Sequence, residues 1–290
     1  MNKRSGIHYC EYINIGEFTV PFKDNAITAL QRPDYLPIIK NSEKYYGGSQ
    51  MWFLTDHRYS RDYVLHNYGC KTIAIADLFL YLALQNKTLQ TPITALALKK
   101  QNEINYIDYI SYVHTIYRTY AKNKPPMSIS GPSIARSVTS YSKAYGLGLK
   151  AFWQWKLSYY DMLDRIEEML GKDIPVILSI GPNTPKLWGR KGIPFYELKE
   201  IDYREPESDA GKPREEVSKP YYYNPVKQNV NRHYITVTAL IKDEVTGRIM
   251  LRISSRGRQY YINYEEYRDY IETWGGTFTS SLVLIKKEYY

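Results

Sequence analysis

The sequence predicts an α+β fold in which a helical part packs against an antiparallel β-sheet. Three observations carry this expectation. Helical periods dominate up to about residue 171 and alternating, β-branched runs dominate after it; segregation of that kind marks α+β architecture. The stretch Asn67–Ala83, NYGCKTIAIADLFLYLA, passes from a turn-forming Asn-Tyr-Gly into an apolar run without Gly or Pro, the pattern of a buried helix. At 290 residues the chain is long enough to bury a substantial core around that helix.

The elements follow in order. Residues 1–48 show short β-like pieces such as EFTVPF, interrupted by Pro21, Pro33, Pro37 and Gly47-Gly48. They read as an irregular N-terminal segment wrapping the core, ahead of a domain spanning 49–290. Residues 49–66 are polar and aromatic and lead, as a loop or short helix, into a central helix from Cys70 to about Leu84. A second helix is expected within 103–122, where Ile107, Ile110, Val113 and Ile116 recur near helical spacing. KNKPPMSISGPS breaks the pattern, and a third helix runs from about Ser133 to Tyr145. SYYDMLDRIEEML is strongly amphipathic, with Ser158 as N-cap and Gly171 as stop. IPVILSIG then reads as a buried strand. Residues 202–230, rich in charge, Pro and Tyr, read as an exposed mobile loop. HYITVTALI, KDEVTG and RIMLRISS form a hairpin. A short helix from about Tyr264 and a last strand in GGTFTSSLVLIKK close the chain.

Composition excludes several classes. No run is long and apolar enough for a transmembrane helix, because Thr72–Leu84 is short and carries Asp77. The N-terminus lacks the apolar core of a signal peptide. Two cysteines, Cys10 and Cys70, make no disulfide framework, so a reduced, cytoplasmic protein is the expectation, with a single bridge between them as the alternative. There is no Walker A loop and no GxGxxG, and His8 with Cys10 lacks further ligands, so neither cofactor nor metal is expected. The net charge of +9 permits an anionic partner, but acids are interleaved with the bases, which disfavours nucleic acid.

Chemistry points to Cys70. At a helix start a thiol faces unpaired backbone N–H groups and the positive end of the helix dipole, both of which favour thiolate. A plain buried cysteine fits the same residues. Among the five histidines, His233 heads a strongly predicted strand in a different layer, a rigid mount for a base. A hairpin turn centred near Glu244-Val245 would set His233 opposite Ser254 to Arg256, so that Ser254 or Ser255 could hold the imidazole. Asp77 lies two turns beyond Cys70 on the same helix face and reads as a buried group that caps a neighbour.

A helix-opening Gly69-Cys70, a far downstream His in NRHYITVTALI and SSRG at 254–257 resemble the papain-like cysteine peptidases. The order, with GKDIPVILSI between, is similar to the bacterial branch that cleaves double-glycine leaders of bacteriocins. The likeness covers roughly residues 50–290. It implies a papain-like fold and attack by Cys70 on a peptide or protein carbonyl. It further implies His233 as general acid/base, Ser254 at the position of the third member, and an oxyanion hole at the helix N-terminus. Three positions depart from the pattern: Lys71 follows the nucleophile, Ser254 stands where Asn is usual, and Val64 occupies the place of the oxyanion Gln. Gln50 or Asn67 could supply that amide. These departures leave a second expectation beside peptidase activity: a catalytically silent module that holds a peptide or partner in the same cleft.

Overall fold

The computed structural model describes residues 26–58, 60–100, 103–122, 131–181, 192–200, 221–243, 246–275 and 281–287. The chain enters through three short strands, β1 (Ala26–Ala29), β2 (Pro37–Lys40) and β3 (Glu43–Tyr46). This part of the segment expected to be irregular is therefore ordered, whereas EFTVPF lies outside the described residues. Asn41 and Ser42 both have positive φ, the left-handed pair that a two-residue hairpin between β2 and β3 requires. A 3-10 turn, Gln50–Trp52, follows under a Ser49 cap.

The helical part comprises α1 (Arg61–Tyr68), α2 (Cys70–Gln85), α3 (Pro92–Ala97), α4 (Tyr106–Thr119), α5 (Gly131–Ala144) and α6 (Tyr159–Gly171). The four helices expected from periodicity are α2, α4, α5 and α6. Ser158 caps α6 by accepting from the Asp161 N–H, as its sequence predicts. Within this half lie two strands, β4 (Ile104–Asn105) and β5 (Leu149–Trp155). Every residue of α2 from Lys71 to Ala83 is buried, because the helix packs on α4 on one side and on the sheet on another.

The β part holds β6 (Val176–Ile180), β7 (Ile193–Glu200), β8 (Tyr221–Val230), β9 (His233–Lys242), β10 (Ile249–Ser255), β11 (Arg258–Asn263), α7 (Tyr264–Tyr270) and β12 (Ser281–Lys287). The stretch 221–230, expected as loop, is β8; its YYYN start is aromatic and suits a strand, and its Pro225 is tolerated at a sheet margin. Residues 202–220 lie outside the described residues.

The main sheet runs β5-β12-β6-β9-β10-β11-β7-β8 with β1 added to β9, and all of these pairs are antiparallel. β2, β3 and β4 form a small second sheet. The fold is thus α+β: seven helices among the described residues and one large antiparallel sheet. No helix of the described residues is long and apolar enough to cross a membrane.

Candidate active site

Cys70 is the first residue of α2, and Gly69 before it provides no side-chain cap. The helix-end N–H groups are therefore left for other partners. β9 runs against α2 and begins with His233, so the helix start and the strand start meet. Between them lies a cavity of about 20 Å³, room for about one water molecule. Cys70, His233, Gln50, Asp77, Ser254, Ser255 and Arg256 all contribute to its wall. Four residues expected from the sequence, Gln50, Cys70, His233 and Ser254, thus converge from four separate parts of the chain, and Asp77 of α2 joins them.

The imidazole is held from behind. His233 Nε2 lies 2.9 Å from Ser255 Oγ, which leaves Nδ1 as the ring nitrogen available to a thiol. Ser254 does not play this part; its hydroxyl donates to the Tyr46 carbonyl at 2.7 Å. The reason is a β-bulge. Near the turn the β9–β10 partners are Met250 with Ile241 and Arg252 with Ala239, but Ile253 then faces Val237. Thr238 is the extra residue, and one extra residue reverses which side chains of β10 share a face with His233. An unbulged hairpin places Ser254 on that face; the bulge places Ser255 there.

The two oxyanion candidates separate. Asn67 is exposed and donates to the Tyr63 carbonyl of its own helix, away from the site. Gln50 reaches the cavity through the 3-10 turn. Its Nε2 donates one proton to the His66 carbonyl at 2.8 Å and keeps a second N–H, while Oε1 is buried without a partner. Val64, six residues before Cys70, is a core residue. The one of the two amides that reaches the cavity thus sits on a turn 20 residues upstream of the thiol, a distance that no local motif encodes.

Electrostatics run against the thiolate expected from the helix dipole. Burial pushes the Cys70 thiol above its ordinary range. The backbone N–H of Tyr234, the Lys71 cation, the Lys71 N–H and Arg256 oppose this without reversing it. Burial likewise drives His233 down to about 3, helped by the Arg256 and Lys227 cations. At neutral pH the resting pair is therefore an uncharged thiol beside an uncharged imidazole. Lys71 is fully buried with no partner for its Nζ, and burial lowers it to about 7.

Asp77 ties the site together. Its Oδ2 accepts from the Gly48 N–H at 2.9 Å and its Oδ1 from the Tyr109 hydroxyl at 2.6 Å. It thereby joins the loop between β3 and Gln50, helix α2 and helix α4. A side chain at Gly48 would place its Cβ 1.7 Å from the Tyr109 oxygen, so only glycine fits. Burial raises the Asp77 carboxyl to about 7.

The other histidines fall elsewhere. His114 pairs with Asp62 at 2.8 Å on the helical surface, and His66 contributes its backbone carbonyl to Gln50. Cys70 carries a free thiol; His8 and Cys10 lie outside the described residues. Among the described residues no group of three or more His, Cys, Asp or Glu could hold a metal ion.

No protein-family model matches the chain, and no curated protein matches it either.

Proposed function

We propose that this chain is a papain-like cysteine hydrolase that cuts a peptide or amide bond at the Cys70 cavity. The observation that carries the reading is the convergence of Cys70, His233 and Gln50 on one cavity, with Ser255 behind the imidazole Nε2. A thiol, an imidazole and a group that orients the imidazole on one cavity wall are the parts that a thiol hydrolase needs, which supports the reading.

The uncharged resting pair sets the mechanism. Cys70 Sγ attacks the carbonyl carbon while its proton passes to His233 Nδ1. The oxygen that gains charge is met by the free N–H of Gln50 and by backbone N–H groups at the start of α2. The imidazolium gives its proton to the leaving amine as the C–N bond breaks, and a thioester remains on Cys70. Water then attacks the thioester, His233 takes a proton from it and returns one to Sγ, and the acid departs. Ser255 fixes the ring but adds no negative charge, so the imidazolium is less stabilised here than beside a carboxylate. The reaction needs a reduced thiol, which fits the cytoplasmic compartment expected for the chain.

The test is acylation by p-nitrophenyl acetate. We expect a burst of p-nitrophenolate and an acetyl thioester on Cys70 by mass spectrometry. Cys70→Ala should abolish both, and His233→Ala should slow formation and hydrolysis of the thioester. Acetylation of Cys70 no faster than that of the same thiol in urea-unfolded chain would overturn the reading. The raised thiol and the lowered imidazole support a second reading, a silent peptide-binding cleft, and that result would select it.

A further inference from the structure

Arg256 lines the cavity but moves no proton and touches no reacting atom in the hydrolysis. The hairpin between β10 and β11 turns on two residues, Arg256 at φ 52 and Gly257 at φ 78. Both are left-handed, the geometry of a turn in which Asn-Gly or Asp-Gly is the common choice. Arginine at the first position is strained by the contact of its Cβ with backbone, and strain of this kind gathers at functional positions. Its side chain is exposed and lines the Cys70 cavity.

A second cation stands on the same face of the sheet as Ser255: it lies over Tyr260, whose partner across the hairpin is Ile253, two residues before Ser255. Lys227 of β8 lies over the Tyr260 ring, Nζ 4.3 Å from the centroid, and is half-buried. Burial, then Arg256, then Arg258 push it down to about 8, and Glu197 is the one acidic group that opposes this among the described residues. The same two cations, Arg256 and Lys227, act on His233. Like charges so placed repel one another until an anion enters.

We infer that Arg256 and Lys227 form a carboxylate-recognition subsite beside Cys70, so that the preferred substrate carries an acidic group next to the carbonyl that is attacked. This rests on the hydrolase reading and deepens it. A bound carboxylate would neutralise the two cations that add to burial in holding His233 uncharged, and so would strengthen the base when the right substrate is in place. Asp77, on the same cavity, is occupied by Gly48 and Tyr109 and does not compete for the cations. The carboxylate could belong to an Asp or Glu side chain or to a chain terminus.

The experiment compares two alkylating agents of the same chemistry, iodoacetate and iodoacetamide, on the full chain. The ratio of their rates at Cys70, divided by that ratio for glutathione, reads the local field. We expect about a tenfold preference for iodoacetate, in line with two nearby cations at intermediate dielectric. Arg256→Asn with Lys227→Met should lower the ratio several-fold towards that of glutathione, the remainder coming from the Lys71 cation that the variant keeps. Arg256→Asn relieves the left-handed strain, so the variant is expected to fold. An unchanged ratio in the double variant overturns the proposal. If neither reagent labels native Cys70, the hydrolase reading falls, and the subsite is read by melting temperature instead. Succinate should then raise the melting temperature of the wild-type chain above that in chloride of equal ionic strength, and should not do so in the double variant. Equal melting temperatures overturn the subsite. Peptides with an internal Glu and an amidated end, set against neutral peptides with a free C-terminus, distinguish the two carboxylate sources.

Discussion

Two adjacent serines define the residue scale of this site. Ser255 holds the His233 ring, whereas Ser254 binds the Tyr46 carbonyl. Substitution separates the roles. Ser255→Ala should slow acetylation of Cys70 by about tenfold, far less than loss of an anionic third member would, because only orientation is lost. Ser254→Ala should leave acetylation within about twofold and destabilise the fold by about 1 kcal/mol, the usual value of one hydrogen bond. Equal kinetic effects of the two would refute this division of labour. The places of Cys70 at the start of α2 and of His233 at the start of β9 were legible in the sequence, because a helix start and a strand start leave local signals. The choice of Ser255 was not, because it depends on a bulge at Thr238, whose neighbours Val237 and Ala239 read like any other part of β9.

At the scale of elements, α2 is the most legible part of the chain, since an apolar run of this length has few alternatives. Its anchoring was not legible. Asp77 is the one acidic residue within the helix, and its partners come from residues 29 positions upstream and 32 downstream. Burial holds its carboxyl at about 7, whereas an unfolded aspartate titrates near ~4. The folded chain therefore keeps a proton that the unfolded chain releases between about pH 4 and 7. Over that window Asp77 makes the fold less stable as pH rises. In urea titrations from pH 5 to pH 8, Asp77→Asn should gain stability relative to wild type; parallel curves would contradict the assignment. The elements missed in the sequence, among them α3, β5, β7, β8 and β11 and the short strands β1 to β4, are short, or mix Tyr and charge in ways that suit strand and loop alike.

For the whole molecule, the sequence carries the segregation of helices and strands but not the closing of the sheet. β12 inserts between β5 and β6, and Val283 pairs with Trp153 and Ile177 at once. Nothing in SLVLIKK states that its partners lie more than a hundred residues upstream, since an apolar strand pairs with any apolar strand whose register fits. Val283→Pro removes a ladder N–H from this central strand and should abolish the near-UV circular dichroism and the cooperative melting transition. A cooperative transition of unchanged midpoint would show that the sheet does not depend on β12.

β8 stands at the far margin of that sheet, paired on one side only among the described residues. Ten residues of tyrosine-rich strand with an open flank invite a second copy to add its own strand, and so on into a fibre. Pro225 and Lys227, in the middle of β8, are the two residue types that discourage such growth. The lysine proposed to receive the substrate is therefore expected to have a second use: at high concentration it should help to keep the chains apart.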